Sequence, residues 1–434
     1  MIYQILSWIL KIACRVYFRK IEIHGSVIPP NRPLLLLANH QSALMDAIVL
    51  AAFCQRPLYF LARGESFNKQ WKRWLWKQFN MIPIYRPVHS PSMVRHNPNI
   101  FKYCHQLFDD RQALVIFPEG ISKTDRQLRP IKTGAARIIL GFEPNTEELA
   151  LIPVGLNYND PHRFRAELII NIGAEISIKP YRQTYAQNQS LAIKQLSEQM
   201  AQALKKLIIV VDKPETEKLT RQLEQHYKEH LLQQAAVLER PGSRSFHLSK
   251  DIVRAIHYFE QHRQRKASEL RKRICLYTKN LKDLGLERLS LSVPRLKEHA
   301  LPIWVDGLDR LCYIACYPVG WLSRTATHFF CQRPDFKGTL LLLFGTLSAL
   351  LYTISWLLSA YWLTHSVGLC VLLSLLFVLM AVRSLRYIDR RAFQKEKYLL
   401  TSLRPDIVRG LVVEREFLLS ELGQLKEIFL NERA

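Results

Sequence analysis

His40 and Asp46 are the residues in this 434-residue chain whose types and spacing suit proton transfer. They belong to Asn39-His40-Gln41-Ser42-Ala43-Leu44-Met45-Asp46, which sits between two apolar runs, Leu34 to Ala38 and Ala43 to Phe53. The first run reads as a buried strand and the second as a buried helix. The histidine and the carboxylate therefore flank a strand-to-helix turn, a place where catalytic groups are often presented. Residues six apart on one helix occupy different faces. The pair meets only if His40 lies in the turn and Asp46, in the helix, reaches back to it. Asp46 then holds one ring-nitrogen proton and leaves the other nitrogen free as a base. On this stretch alone a second reading stands beside the first, in which His40 caps the helix and Asp46 makes a surface ion pair.

The elements that must position this pair follow from the hydrophobic pattern. Strands are expected over Ile21 to Gly25, Pro57 to Ala62, Met81 to Pro87 (a short one ending in an arginine), Ala113 to Phe117, Leu149 to Gly155 and Arg165 to Gly173. Helical periodicity marks Ile100 to Phe108 and Ser190 to Val211, and Gly134-Ala135-Ala136 is expected to let a helix pack closely. Strands alternating with helices over short connections predict an α/β sheet with helices on both faces, with motifs gathered where strands end. Trp71, Trp74 and Trp76 among Lys69, Lys72, Arg73 and Lys77 fit either a headgroup-facing helix or core packing.

Composition bounds the partners. The net charge is +24, with basic residues spread from Lys11 to Arg433 and no nucleic-acid motif among them. The charge is read as attraction to an anionic membrane face and to anionic substrates, with no nucleic-acid partner. Eight cysteines without a C-x-x-C pair suit a reducing compartment. The apolar N-terminus lacks the features of a cleavable signal peptide. In Met1 to Tyr17 the polar positions Gln4, Ser7, Lys11 and Arg15 share one helix face, which predicts an interfacial amphipathic anchor over residues 1–20; the other reading is a helix packed on a globular core.

From about Lys213 the chain turns charged and helical, broken near Pro241-Gly242. His226-Tyr227-Lys228-Glu229-His230 has the short H-x-x-E-H form. Two histidines four apart on a helix suit zinc, but no third ligand is in view, so a solvated helix face is expected and no metal. Leu311 to Cys331 is apolar but broken by Pro318, Gly320 and Arg324, as an interfacial or re-entrant segment would be. Leu340 to Leu363 and Val367 to Val382 carry no charge and are separated by a few residues around His365, which predicts a membrane hairpin. Arg324, Arg333 and Lys337 precede it and Arg383, Arg386, Arg390 and Arg391 follow, so both chain ends are expected in the cytoplasm. Leu399 to Leu430 reads as an amphipathic helix packed on the insert or lying at the membrane.

Six stretches occur in a telling order: Asn39-His40 to Asp46, Arg63-Gly64-Glu65-Ser66-Phe67, Ile82-Pro83-Ile84-Tyr85-Arg86-Pro87, Phe117-Pro118-Glu119-Gly120-Ile121-Ser122, Lys132-Thr133-Gly134-Ala135-Ala136 and Ile152-Pro153-Val154-Gly155-Leu156-Asn157-Tyr158. Together they resemble the four motif blocks of the glycerolipid acyltransferase superfamily, over roughly Ile21 to Pro180. Five residues separate the motif histidine and aspartate where most members have four. That spacing, and Lys-Thr-Gly-Ala-Ala-Arg after the Phe-Pro-Glu-Gly turn, is similar to the branch of fungal glycerol-3-phosphate/dihydroxyacetone-phosphate acyltransferases and bacterial relatives. Asp335 to Thr339 leading into the hairpin also fits that branch.

The resemblance implies an integral membrane acyltransferase with its site on the cytoplasmic side. It implies acyl-CoA or acyl carrier protein as co-substrate, membrane lipids as partners and no cofactor. His40 would be the general base, with an unperturbed pKa suited to neutral pH, and Asp46 its orienting carboxylate. The acceptor hydroxyl attacks directly, so Ser42 and Ser66 are not required as nucleophiles. Arg86 matches the arginine of the second block and is the expected phosphate ligand, with Lys132 and Arg165 as further cations. Glu119 would accept a glycerol hydroxyl or orient Arg86, and Gly120 would let the backbone approach the substrate. The expected organisation is the anchor (1–20), the acyltransferase domain (21–212), a helical insert with an interfacial segment (213–335), the transmembrane hairpin (336–384) and a C-terminal helix (385–434). The acceptor is expected to be glycerol 3-phosphate or dihydroxyacetone phosphate. Lysophosphatidate or another lysophospholipid is the alternative, and a non-catalytic lipid-binding scaffold on the same fold is the reading from another class.

Overall fold

A computed structural model of the chain describes residues 2–86, 91–143, 148–234, 242–286 and 303–432. Pro87, Pro241 and residues 287–302 of the expected insert lie outside them, as does the side chain of Glu229. The chain divides into two compact units.

The first unit takes in residues 1–210, 241–243 and 330–342. It is built on seven strands: β1 (Phe18–Gly25), β2 (Leu34–Ala38), β3 (Leu58–Arg63), β4 (Met81–Ile84), β5 (Ala113–Ile116), β6 (Ala150–Tyr158) and β7 (Ala166–Ile172). Their order across the sheet is β1-β7-β6-β2-β5-β3-β4. All neighbouring pairs are parallel except β6 with β7. Strands β2 to β6 therefore run one way, and their carboxyl ends share one edge, the place where open α/β sheets present ligand-binding loops.

Side-chain alternation sends Leu34, Leu36 and Ala38 to one face and Leu35 and Leu37 to the other. The first face is covered by α1 (Ile2–Tyr17) and α2 (Ala43–Phe53), with Cys14, Met45 and Val49 fully buried. The second is covered by α4 (Asn97–Asp109), α5 (Gly134–Leu140) and α7 (Gln189–Leu207), which bury Phe108, Ile139 and Met200. Between these lie α3 (Gln70–Gln78) and α6 (Lys179–Gln187). The sequence pattern did not reveal α6, a polar helix with no buried residue to signal it. Within α5, Ala135 and Ala136 are buried, but a Cβ on Gly134 would meet nothing within 4 Å. The close approach belongs instead to Gly155, where a Cβ would fall 2.3 Å from the Leu207 carbonyl oxygen. Asn157 and Asn171 each donate to that same carbonyl at 2.9 Å, pinning the end of α7 to β6 and β7.

Helix α1 joins the two readings made of it. It packs on α2, and Ser7, expected on the polar face, donates to the Ala51 carbonyl at 2.7 Å. Its other side leaves Ile5, Trp8 and Ile12 exposed. Trp71 and Trp74 of α3 are likewise exposed, whereas the Trp76 indole donates to the Ser66 carbonyl at 3.0 Å.

The second unit is helical: α8 (Pro214–Gln234), α9 (Arg244–His262), α10 (Gln264–Asp283), α11 (Ile303–Phe330), most of α12 (Lys337–Thr364), α13 (Val367–Ser402) and α14 (Pro405–Asn431). The insert has a core of its own. Leu219, Leu223, Tyr227 and Leu231 form one stripe of α8, and they meet Ile252, Ile274 and, from α14, Leu411 and Leu418. The C-terminal helix thus packs on the insert. His226 is also buried, which corrects the expectation of a solvated face: α14 covers α8, and burial with the nearby Arg415 charge lowers the His226 pKa to about 4. Among the described residues, no three His, Cys, Asp or Glu side chains are grouped to hold a metal.

Helices α12 and α13 carry stretches long and apolar enough to cross a bilayer, and they turn at His365, whose φ is 47°. Helix α11 is continuous through Pro318. It contacts both arms of the hairpin. Ser323 lies beside Gly345, Tyr352 donates to the Ala315 carbonyl at 2.9 Å, and Asp309, 2% exposed, pairs with Arg383 and Arg390. The pairs Ala315–Tyr352 and Ser323–Gly345 run in opposite senses along the two helices, so α11 lies alongside α12 over this stretch.

Candidate active site

His40 leaves the carboxyl end of β2, and the chain enters α2 through Ala43 at φ 40°, a left-handed conformation that only the surrounding structure can hold in a residue with a Cβ. The amide of Ala43 donates to Ser122 Oγ at 2.6 Å, and the amide of Lys123 to the His40 carbonyl at 3.2 Å, so the loop after β5 clamps this turn. The sharp entry brings Asp46, in the first turn of α2, back to the histidine: His40 Nδ1 and Asp46 Oδ2 are 2.9 Å apart. The surface ion-pair reading fails, because Asp46 is fully buried. Its Oδ2 also accepts from the Ser42 amide at 2.8 Å, and its Oδ1 from the Tyr158 hydroxyl at 2.8 Å. Asp46 thus accepts at both oxygens. It therefore accepts the Nδ1 proton of His40, and Nε2 is left as the basic nitrogen. The ring stacks on Phe117, with centroids 4.3 Å apart and planes 16° from parallel. His40 keeps 19% of its side chain exposed, so its free edge is reachable from outside.

Glu119 has a role other than the one expected. Its Oε1 accepts from the His40 amide at 2.8 Å and its Oε2 from the Arg129 amide at 3.1 Å. Both oxygens are used on backbone, and the residue is 4% exposed, so Glu119 neither orients Arg86 nor faces a substrate hydroxyl. It braces the loops after β2 and β5 against each other. Burial raises its pKa, opposed by the two amide donors.

Gly120 sits at φ 73°, which glycine adopts without strain. A Cβ there would lie 3.7 Å from Lys132 Cγ and 3.8 Å from Arg86 Cζ, so both cations border the turn. Arg86 follows β4 and is steadied through its neighbour: the Tyr85 amide donates to Asn97 Oδ1 at 3.1 Å and Asn97 Nδ2 returns to the Tyr85 carbonyl at 2.8 Å. Burial lowers the pKa of the Arg86 guanidinium, and the like charge of Arg63 lowers it further, against Glu65. Arg63 is the last residue of β3, and its Nε lies 3.8 Å from Glu65 Oε2. Cations from the carboxyl ends of β3 and β4 and from the loop after β5 thus gather around the Gly120 turn, whose neighbour Glu119 holds the His40 amide.

Arg165 is placed elsewhere. Its Nη1 donates to the Val16 carbonyl at 3.0 Å and its amide to the Tyr17 carbonyl at 2.7 Å, ties between the end of α1 and the start of β7. The sequence alone assigns no role to Tyr158 or Arg63, and it places Phe117 in the substrate-binding turn and not against the His40 ring, although all three lie in the motif blocks. A tyrosine closing the apolar strand Ile152 to Leu156 was the available signal for the first; the stacking and the charge cluster carried none.

The site as built is a partly exposed histidine held by a buried carboxylate, on the edge of an α/β sheet where cations border the Gly120 turn. Residues 20–157 match the Acyltransferase family model. Over those residues this unit is similar to the acyltransferase domains that the family model describes. The chain is 30% identical over 184 residues to an uncharacterized acyltransferase of Schizosaccharomyces pombe, covering 40% of this chain and 25% of that one. Over 79 residues it is 33% identical to glycerol-3-phosphate O-acyltransferase 1 of Saccharomyces cerevisiae, 17% of this chain and 10% of that one. It thus spans a quarter or less of the length of these curated relatives. Among solved structures it is similar to the 1-acyl-sn-glycerophosphate acyltransferase PlsC from Thermotoga maritima, with a TM-score of 0.33 and 16% identity over 47% of this chain and 79% of that one.

Proposed function

We propose that the protein is a membrane-bound O-acyltransferase of phospholipid biosynthesis. In this reading it transfers a fatty acyl group from acyl-CoA or acyl carrier protein to the hydroxyl of glycerol 3-phosphate or dihydroxyacetone phosphate. The observation that carries it is the His40–Asp46–Tyr158 chain, together with Arg86 and Lys132 bordering Gly120 in the loop that holds the His40 amide. His40 Nε2 takes the proton of the acceptor hydroxyl as that oxygen attacks the thioester carbonyl. The buried Asp46 charge stabilises the imidazolium that forms. The tetrahedral intermediate collapses with cleavage of the C–S bond, and His40 returns its proton to the departing thiolate. Arg86, Lys132 and Arg63 bind the acceptor phosphate; guanidiniums held together against their mutual repulsion are relieved by a dianion, and Arg86 offers it a planar fork. In the same reading α12 and α13 cross the bilayer and the site faces the cytoplasm.

The test is acyl transfer by the purified protein in liposomes, with labelled acyl-CoA and, in parallel, glycerol 3-phosphate, lysophosphatidate and lysophosphatidylcholine. Turnover with glycerol 3-phosphate that falls about 10²–10⁴-fold in His40→Ala is expected. Preference for lysophosphatidate would move the protein to the second acylation. No turnover with any acceptor, or an active His40→Ala, would leave the scaffold reading.

A further inference from the structure

A cavity of about 780 Å³ lies within the helical unit, and none of its walls comes from the His40 site. It opens among α8, α9, α10 and α14. Its walls include Leu223, Ile252, Ile256, Phe259, Leu425 and Phe429, side chains of two separate apolar clusters. Its volume is within the range of small-molecule sites, about 300–1,000 Å³. Walls of this kind offer water few hydrogen-bond partners. Left unfilled, they forgo dispersion contacts on one side. His247, Gln264 and Ser268 also line the cavity, but the part walled by those six residues is apolar and suits a flexible alkyl chain.

The mouth has a different chemistry. Lys213 and Arg244 border it, are exposed and make no ion pair among the described residues. Of the acidic residues there, Asp251 is paired with Arg254 and Glu260 with Arg271, while Glu215 and Glu427 are exposed. We propose that the helical unit binds one long alkyl chain that carries an anionic head, with the chain between α8, α9 and α14 and the head at Arg244 and Lys213. A fatty acid, an acyl thioester and a lysophosphatidate share this chemistry. The proposal rests on the cavity alone and is independent of the reaction assigned to His40.

The full chain in lipid nanodiscs would be photolabelled with a palmitic acid analogue bearing a diazirine, and the labelled peptides mapped by mass spectrometry. Label is expected on peptides of α8, α9 and α14. Ile256→Trp, which fills the cavity, should reduce it about tenfold. Arg244→Glu, at an exposed position where folding is not at issue, should also reduce it severalfold. His40→Ala should label like the parent, which separates this result from any failure of the acyl-transfer assay. Unlabelled palmitate, palmitoyl-CoA and lysophosphatidate are offered as competitors, and the one that displaces the label identifies the source. Label confined to α12 and α13, label unchanged in both variants, or label displaced by none of the competitors would overturn the proposal.

Discussion

Asp46 is the residue on which the site depends, because three donors converge on a carboxylate with no access to water. Asp46→Asn keeps the shape but replaces one acceptor oxygen by a donor. It therefore opposes one of the three existing donors and removes the charge that stabilises a protonated His40. The expected loss in kcat is about 10²–10⁴-fold, with KM for the acceptor little changed. Tyr158→Phe removes one donor and leaves the anion buried with two. A hydrogen bond to a charged group contributes about 1.5–3 kcal/mol, so this variant should show a lower Tm and a kcat between those of the parent and Asp46→Asn. Thermal melts and initial rates on the three proteins check the ordering. A Tyr158→Phe protein indistinguishable from the parent in both would show that the Asp46 charge is held without the tyrosine. Glu119, by contrast, acts as a positioning residue through the His40 backbone.

At the scale of elements, the helical insert behaves as a folded body with a buried histidine. His226 on α8 is 5% exposed, and its pKa is lowered to about 4 by burial and the Arg415 charge. In the unfolded chain its pKa is near 6.5. Between these values the unfolded state binds the proton and the folded state does not, so stability rises with pH across the window from about 4 to about 6.5 and is lost on acidification. A shift of this size corresponds to about 3 kcal/mol at most. Chemical denaturation of the helical unit, followed by circular dichroism at pH 7 and pH 4.5, should show the loss, and His226→Gln should reduce it. Equal acid sensitivity in the variant would assign the effect to other groups. The sheet element has its own constraint: Gly155 leaves no room for a Cβ beside Leu207, and the two asparagines that close this junction lie on different strands.

At the scale of the whole molecule, the proposed orientation rests on the apolar arms α12 and α13 and the basic residues outside them. Cytoplasmic loops retain lysine and arginine, and the short turn at Ser366 has neither. The proposed topology predicts that a single cysteine introduced at Ser366, in a cysteine-free background, reacts with a membrane-impermeant maleimide from the outer side of sealed vesicles. A cysteine placed near Glu432 should react only after permeabilisation. The reverse pattern would invert the topology. The excess of 24 positive charges agrees with the proposal of an anionic membrane surface and phosphate-bearing substrates.

Much of this was legible before any coordinates. The apolar runs Leu34 to Ala38 and Ala113 to Phe117, the order of the motif blocks and the two uncharged stretches near the C-terminus are local signals. Each is carried by neighbouring residues and needs no knowledge of the fold. They determined the α/β class, the hairpin and the choice of His40, Asp46, Arg86 and Gly120. What the tertiary structure decided depends on pairs distant in the chain. Glu119 meets the amide of His40 across 79 residues and Tyr158 meets Asp46 across 112, so neither role has a signature in its own segment. Arg165 shows the converse: an arginine beside a strand reads as a free cation until the carbonyl of Val16 accepts from it. Periodicity likewise marked α8 as a helix but could not say what covers it. That depended on α14, which arrives from the far end of the sequence, because a buried face is defined by its partner and a helix encodes only that it needs one.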